Sequence, residues 1–284
     1  MKKILTIAFI ACSIVACKSK KEDPVPSSNV SQYTIKDETG KVIGGYKLYY
    51  NSNNQVIKGA SLDSSGKEST ESINLISYNK EGAISSISSN YYDVQSTKSF
   101  DYTNGLVTRE IYQNSNQEFY LDTTSYFYNN DKTLKYYIST NGDSAVFSSY
   151  SNAKPQIVNH YINGTLQLTY FYTYDSNGNI IKSEYQRDGE AKYTGYEKSY
   201  SNIVFPLFYN LDPSPKSQLE RSKYLPLTVK NYFNYNNTTS LDYSSEISNF
   251  KYDNNGRLIS FEESNNNGGS LSTDTKKVTI SFTY

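Results

Sequence analysis

The sequence is poor in the residues that most catalytic and metal sites require. Its 284 residues include two cysteines, one histidine and no tryptophan. A single histidine cannot build a multi-histidine metal site, and with no cysteine after Cys17 a Cys-His pair is excluded as well. His160 lies beside Tyr161 in a strand-like stretch, which favours a structural role. We therefore expect no enzyme activity, no metal and no cofactor.

The charge balance gives no support for binding to a strongly charged partner. There are 28 basic and 28 acidic residues, and removal of Lys2 and Lys3 with a signal peptide would leave a slightly acidic chain. Nucleic-acid binding needs a basic face, which this composition does not provide. We expect no nucleic-acid partner.

The N-terminus has the pattern of an export signal. Lys2 and Lys3 precede an apolar run from Ile4 to Ala16, too short for the ~20 residues of a membrane-spanning helix. The run ends Ile14-Val15-Ala16-Cys17, which resembles the lipobox of bacterial lipoproteins. The resemblance implies that Cys17 is acylated and anchors the chain, since several acyl chains together hold a protein on a membrane. An ordinary secretory signal with an accidental cysteine is the alternative.

The next residues have the composition of a tether. The segment 17–31 is rich in charged residues, serine and proline and contains no aromatic residue, a composition typical of disorder. Its charges resemble the surface-export signals of Bacteroidota lipoproteins. We predict a signal peptide over 1–16, a lipidated cysteine and tether over 17–31, and one domain over 32–284. The predicted location is the outer membrane, with lipid anchoring facing either the surface or the periplasm.

A repeat organises the rest of the chain. Each unit has an aromatic residue, any residue and a tyrosine, then a polar turn and an aliphatic strand start, as in Tyr172-Thr173-Tyr174-Asp175-Ser176-Asn177-Gly178-Asn179-Ile180. The repeat tyrosines are Tyr50, Tyr78, Tyr102, Tyr128, a weaker Tyr150 and Tyr174, with a further unit over 250–259. Each unit accommodates one hairpin, and the Asn-Gly and Asp-x-x-Gly tips suit tight turns.

The periodicity between tips predicts the fold class. In Gln167–Tyr174 and at the C-terminus, apolar and polar residues alternate, which indicates strands with one buried face. The prediction is an all-β protein in which consecutive antiparallel hairpins form a curved, barrel-like meander sheet, open or closed. The stretch 201–226 breaks the rhythm. We interpret it as an insertion with one helical turn that covers an end of the sheet, with a functional loop as the alternative.

These motifs resemble a known family. The lipobox, the Tyr-x-Tyr-Asp-x-x-Gly hairpins and the Ser222-Lys223-Tyr224-Leu225-Pro226 turn are similar to a Bacteroidota lipoprotein family known only as a domain of unknown function with a porin-like β fold. The hairpins also resemble, more loosely, the Tyr-Asp repeats of large secreted wrapping proteins. The resemblance implies a curved antiparallel sheet and transfers no catalytic residue.

Three other chemical roles have weaker support. A glycosidase needs two facing carboxylates, but Glu262 and Glu263 are adjacent in a strand and point to opposite faces. The spacing of Asp175, Asn177 and Asn179 is similar to that of a calcium loop, although a hairpin tip explains it equally. The aromatic C-terminus is compatible with an outer-membrane barrel, yet the tyrosine-dominated apolar face favours a sheet in water.

Binding is the function that the composition favours. Tyrosine, of which there are 30, joins a flat apolar ring to a hydroxyl group and suits sugars or peptides. Tyr49, Tyr91, Tyr137 and Tyr185 are the ligand-binding candidates if they lie on the wet face. The hypothesis is a membrane-anchored, non-enzymatic binding module for glycan or peptide. The alternative is a structural or assembly lipoprotein that docks another envelope protein.

Overall fold

Antiparallel β-strands make up nearly all of the structure. The computed structural model describes residues 29–115, 120–187, 190–204, 211–219, 222, 224–235, 238–267 and 276–284. The predicted signal peptide, Cys17 and most of the tether lie outside them. The strands are β1 Gln32–Lys36, β2 Val42–Tyr50, β3 Val56–Leu62, β4 Glu68–Tyr78, β5 Ile84–Tyr91, β6 Val94–Thr103, β7 Leu106–Asn114, β8 Tyr120–Tyr128, β9 Leu134–Ser139, β10 Asp143–Ser151, β11 Lys154–Ile162, β12 Thr165–Tyr174, β13 Ile180–Gln186, β14 Tyr193–Val204, β15 Tyr224–Tyr235, β16 Thr238–Tyr252, β17 Leu258–Asn267 and β18 Lys276–Thr283.

The strands close into a barrel. Every strand pairs antiparallel with the next strand in the chain, and β1 pairs with both β2 and β18. Tyr33 of β1 thus lies opposite Tyr46 on one side and Phe282 on the other. The predicted all-β meander of consecutive hairpins is confirmed. The sequence left closure open, and the ladder between β1 and β18 decides it.

The hairpin tips follow from their sequence. At the turn between β12 and β13, the Asp175 Oδ1 accepts the N–H groups of Asn177 and Asn179, each at 2.9 Å. Gly178 then takes a φ of 77°, which glycine adopts without steric penalty. Turns that begin at Asp37, Asn51, Asp63, Asn79 and Asp253 repeat the same two hydrogen bonds. The Asp175 segment is therefore built as a hairpin turn.

The repeat tyrosines join neighbouring strands by hydrogen bonds near one end of the barrel. At or near the end of an even-numbered strand, each tyrosine hydroxyl donates to a carbonyl near the start of the preceding odd-numbered strand. We call these bonds the tyrosine ladder. The pairs are Tyr50 with Val30, Tyr78 with Val56, Tyr102 with Ile84, Tyr128 with Val107, Tyr150 with Leu134, Tyr174 with Pro155, Tyr200 with Ile180 and Tyr284 with Leu258. The sequence repeat found the first six; Tyr200 and Tyr284 extend it.

Apolar side chains fill much of the barrel interior in two clusters. One cluster draws on β6–β13 and includes Phe100, Tyr126, Phe147, Val158 and Tyr172. The other draws on β1 and β15–β18 together with Val30, and includes Leu225, Phe261, Ile280 and Phe282. The register places both clusters on the same face of the closed sheet. Burial of this face is the main apolar contribution to stability.

The insertion between β14 and β15 crosses the interior. Its described part, 211–219 and 222, contains one short helix, α1, Pro215–Gln218. Asp212 Oδ2 lies 2.9 Å from the Nζ of Lys98 on β6, and Ser214 is completely buried against Tyr126 of β8. Since β6 and β8 lie across the ring from β14 and β15, the segment passes through the lumen. No described helix is long and apolar enough to cross a membrane.

Candidate ligand cavity

A cavity of about 460 Å³ lies inside the barrel beside the insertion. Its walls are the inward-facing side chains of β1 and β14–β18 together with residues that flank the insertion. The lining residues are Tyr33, Ile35, Lys198, Tyr200, Ser222, Tyr224, Leu225, Pro226, Val229, Tyr243, Ser245, Ile247, Phe261, Glu263, Val278 and Ile280. The volume is within the range of small-molecule sites, and the mixture of aliphatic, aromatic and a few polar groups is typical of them.

The cavity has an apolar tier near the end that carries the insertion. Phe261, Ile280 and Ile35 follow one another across β17, β18 and β1 in direct register. Leu225 completes this apolar tier, and Ile247, in register with Glu263, lies at its boundary with the more polar part of the cavity. Leu225, Phe261 and Ile280 are each less than 9% exposed, so their positions are fixed by packing.

The cavity also has a polar tier, closer to the opposite end. Here the Ser245 Oγ donates to the Glu263 Oε1 at 2.9 Å, and the Tyr243 hydroxyl donates to Asn265. Lys198 approaches from β14, with its Nζ 4.1 Å from the centroid of the Tyr196 ring. Burial raises the pKa of Tyr243, so this hydroxyl stays protonated and can donate. The polar tier is Lys198, Tyr243, Ser245 and Glu263.

The two tiers give the cavity a defined chemistry. Among the described lining residues, Lys198 provides the single ammonium group and Glu263 the single carboxylate. They lie on strands separated by β15 and β16: Lys198 is in register with Val229, whereas Glu263 is in register with Ile247. The two charges lie in a wall that also contains apolar side chains and several tyrosine and serine hydroxyls, which is suited to recognition of a ligand that has both apolar and polar groups.

A second polar cluster in the lumen holds the insertion. Glu110 is 2% exposed and accepts the Tyr126 hydroxyl at 2.7 Å. Its carboxylate also lies 3.5 Å from the Nζ of Lys98 and 3.7 Å from that of Lys216. Burial raises the pKa of Tyr126. These groups satisfy one another, as buried charges must. The cluster therefore attaches the insertion to β6–β8.

The predicted tyrosines lie in four separate places, and two are on or near the outer surface. Tyr49 is on the outer face of β2, where Lys58 Nζ lies 4.6 Å from its ring centroid and its hydroxyl donates to Glu68. That bond, with Lys47, lowers the pKa of Glu68 to about 2. Tyr91 ends β5 with 61% of its surface exposed, and its ring meets the Tyr92 ring edge-on at 4.8 Å.

The other two tyrosines point into the barrel. Tyr137 is only 7% exposed, and its hydroxyl donates to Asp143 at 3.2 Å. The inward alternation of β9 places it in the core, so it is not on a wet face. Tyr185 lies on the inner face of β13, with its ring 5.9 Å from that of Tyr193. The structure does not bring the four tyrosines into one site, and a ligand role for Tyr49, Tyr91 and Tyr185 stays a prediction.

His160 and the acidic pair also have definite positions. The His160 Nε2 lies 2.5 Å from the Asp143 Oδ1 on the inner face, one strand away. Glu263 lines the cavity, whereas Glu262 accepts a hydrogen bond from Asn249 on the outer face at 2.6 Å. The two adjacent carboxylates therefore point to opposite faces, as the strand pattern predicted.

The sequence did not identify the cavity residues as a site. The sequence contains one signal of a site. Tyr243 and Ser245 occupy successive inward positions of β16, and the next inward position is the apolar Ile247. A polar residue at an inward position is informative, since its burial needs a partner. The partner Glu263 belongs to another strand, and period-two patterning alone does not pair them.

Comparisons with known proteins found similar solved structures only. No family model matches the chain, and no curated protein does. A porin-like protein from Bacteroides uniformis ATCC 8492 is 13% identical over 91% of this chain and 98% of that chain, with a TM-score of 0.44. One from Bacteroides vulgatus ATCC 8482 is 14% identical over 90% and 99%, with a TM-score of 0.39. The structure of TcdB2-TccC3-TEV is 12% identical over 89% of this chain and 14% of that chain, with a TM-score of 0.40. Likenesses this distant show no family and indicate no function.

Proposed function

We propose that this chain is a non-enzymatic binding module of the cell envelope that takes a small amphipathic ligand into its barrel. The observation that carries the proposal is the cavity of about 460 Å³, with its apolar and polar tiers. The proposed site is inside the barrel and not on an outer row of tyrosines. Envelope anchoring rests on the lipobox at Cys17.

The outer face supports an aqueous surrounding for the barrel. Arg109 and Asp101 form an ion pair across β6 and β7, and Lys182 and Glu184 form another on β13 at 3.0 Å. An arginine or lysine on a lipid-facing strand costs about 2–4 kcal/mol at the centre of a bilayer. A lipid anchor on the N-terminal segment would hold such a barrel beside the membrane.

Ligand-dependent stabilisation tests the proposal. A ligand that binds only the folded state stabilises it by about 2.7 kcal/mol at a hundredfold excess over its dissociation constant. The purified protein would be melted with a panel of oligosaccharides, short peptides, fatty acids and amines. Ile247→Trp fills part of the cavity and should remove the shift that an active compound produces. No shift across the panel, or a shift that survives Ile247→Trp, would contradict a ligand site in this cavity.

A docking role is the second candidate, and an apolar patch on the outer face favours it. Phe127, Tyr136 and Val146 follow one another across β8–β10, with Phe127 and Tyr136 stacked at 4.4 Å. Ile138 beside them is 52% exposed. Exposed apolar patches often mark protein interfaces. Crosslinking in cells should give a defined product that Ile138→Lys abolishes and Ile43→Lys, on distant β2, leaves unchanged.

A further inference from the structure

The inner face of β2–β5 changes character along its length. Towards the end that carries the tyrosine ladder, its residues are buried, and Leu48 and Ile76 are only 5% and 4% exposed. Towards the opposite end, five inward residues are polar and partly exposed, so water reaches this part of the lumen. We call them the polar strip: Tyr46, Ser61, Ser72, Asn74 and Ser89. None of these five described residues lines the cavity.

Hydrogen bonds join the polar strip across four strands. Asn74 donates from its amide nitrogen to the Tyr46 hydroxyl and accepts the Ser89 hydroxyl at its amide oxygen. The hydroxyl oxygens of Ser61 and Ser72 lie 2.8 Å apart. An amide has two donor hydrogens and two acceptor lone pairs, so the two bonds of Asn74 use half of its capacity. The strip therefore offers further donors and acceptors side by side.

The polar strip has no formal charge. The charged residues of β2–β5 lie on the outer face, where Glu68 is 2.9 Å from Lys47 and 3.2 Å from Lys58. The remaining one, Glu71, is exposed and alternates with inward positions of β4. A charged ligand on the strip would lose hydration without meeting an opposite charge, which is costly. The strip thus favours a ligand with many neutral polar groups.

Two exposed tyrosines stand at the rim beside the polar strip. Tyr91 ends β5 two residues after Ser89, and Tyr92 begins the turn to β6. They are 61% and 59% exposed, and their rings meet edge-on at 4.8 Å. Tyr92 also has a φ of 52°, which a bulky residue rarely adopts. Packing does not explain an exposed ring in a strained conformation, and such residues cluster at functional sites.

We propose that the polar strip and this tyrosine pair bind a neutral oligosaccharide, a site beyond the proposed function of the cavity. The apolar C–H faces of a sugar would stack on the tyrosine rings, and hydroxyl groups of the following units would bond to the strip. The strip crosses β2–β5, three strand spacings or about 14 Å, so several linked sugar units are needed to fill it. Asp93 in the rim turn disfavours an anionic sugar, and the strip offers an apolar peptide no aliphatic contact.

Calorimetric titration with defined sugars tests the proposal. The purified protein would be titrated with cellohexaose, laminarihexaose, maltohexaose and mannohexaose, and with hexagalacturonate as the anionic comparison. At least one neutral hexasaccharide should bind saturably and more tightly than hexagalacturonate. Asn74→Ala should weaken that binding about tenfold, as the loss of hydrogen bonds predicts. Tyr92→Gly removes one ring of the pair and should weaken it about threefold or more.

Matched controls change the same residue types elsewhere. Asn90→Ala, on the outer face of β5, and Tyr252→Ala, at the opposite end of the barrel, should leave sugar binding unchanged. Ile247→Trp fills part of the cavity and should also leave it unchanged, which separates the two sites. Circular dichroism of each variant would show that the barrel is folded. If Asn74→Ala does not fold, Asn74→Ser replaces it.

Three results would overturn the proposal. The first is no saturable binding of any of the four neutral hexasaccharides, and the second is tighter binding of hexagalacturonate. The third is sugar binding that neither Asn74→Ala nor Tyr92→Gly weakens. If Ile247→Trp then abolishes that binding, the sugar belongs to the cavity, and the proposed function stands without the polar strip as a site.

Discussion

The tyrosine ladder should contribute measurably to the free energy of unfolding of the barrel, and Tyr128 is the position at which to test it. Its hydroxyl donates to the Val107 carbonyl at 2.7 Å, and Val107 is buried. Tyr128→Phe keeps the ring and removes the bond, which leaves a buried carbonyl without that donor. The expected loss is about 1–2 kcal/mol in the free energy of unfolding. Urea denaturation at neutral pH measures it.

The repeat contains its own control. Tyr252 stands at the equivalent repeat position at the end of β16, yet it is 48% exposed and its hydroxyl has no hydrogen-bond partner among the described residues. Tyr252→Phe should therefore change stability by less than about 0.5 kcal/mol. Equal losses from the two variants, or no loss from Tyr128→Phe, would refute the ladder as a source of stability.

The pH dependence gives the same experiment a second readout. Burial raises the pKa of Tyr128 to about 12, whereas an unfolded tyrosine titrates near 10. The contribution of this group is therefore complete below about pH 10 and is lost as pH rises towards 12. Over that interval, the free energy of unfolding of the wild type should fall by on the order of 2 kcal/mol more than that of Tyr128→Phe. The two stability curves should cross near pH 11, and a constant difference would contradict the assignment.

Four further predictions concern other parts of the chain. Tyr92 has a φ of 52° at an exposed tip, where glycine is less strained. Tyr92→Gly should therefore raise the melting temperature by about 2 °C. A melting temperature below that of the wild type would show that no strain is stored there. Glu110→Gln should lower unfolding free energy by about 3 kcal/mol in urea denaturation, because it breaks the buried cluster around Lys98. Asp101→Asn breaks an exposed pair and should cost less than about 1 kcal/mol. Cys17→Ser should abolish incorporation of labelled palmitate, and unchanged labelling would exclude the lipobox assignment.

Local features of the fold were predictable because they depend on neighbouring residues. The Asp175 turn needs an acceptor side chain, two backbone donors and a glycine within five residues, and all are visible in the sequence. The inward and outward alternation of Glu262 and Glu263 is local as well. The repeat tyrosines were found from spacing, although their function as donors to carbonyls of the preceding strand appears only once the strands pair.

Features that depend on distant strands were not predictable. Lys198 and Glu263 come to line the same cavity only through the three ladders that join β14 to β17. The sequence makes Tyr137 a ligand-binding candidate only if it lies on the wet face, but the inward direction of β9 buries it. The path of the insertion through the lumen depends on the ion pair between Lys98 and Asp212, which are 114 residues apart. Periodicity shows that a residue is inward and does not show which residue it meets.

The ladder between β1 and β18 also determines how the chain must fold. The Ser31 N–H donates to the Thr283 carbonyl at 2.8 Å across 252 residues of sequence. Hairpins can form one after another as they are synthesised, but β1 has only β2 as a partner until β18 exists. A growing chain therefore keeps an open sheet edge, which favours pairing with other molecules. Ring closure across nearly the whole domain should be the slow, late step of folding.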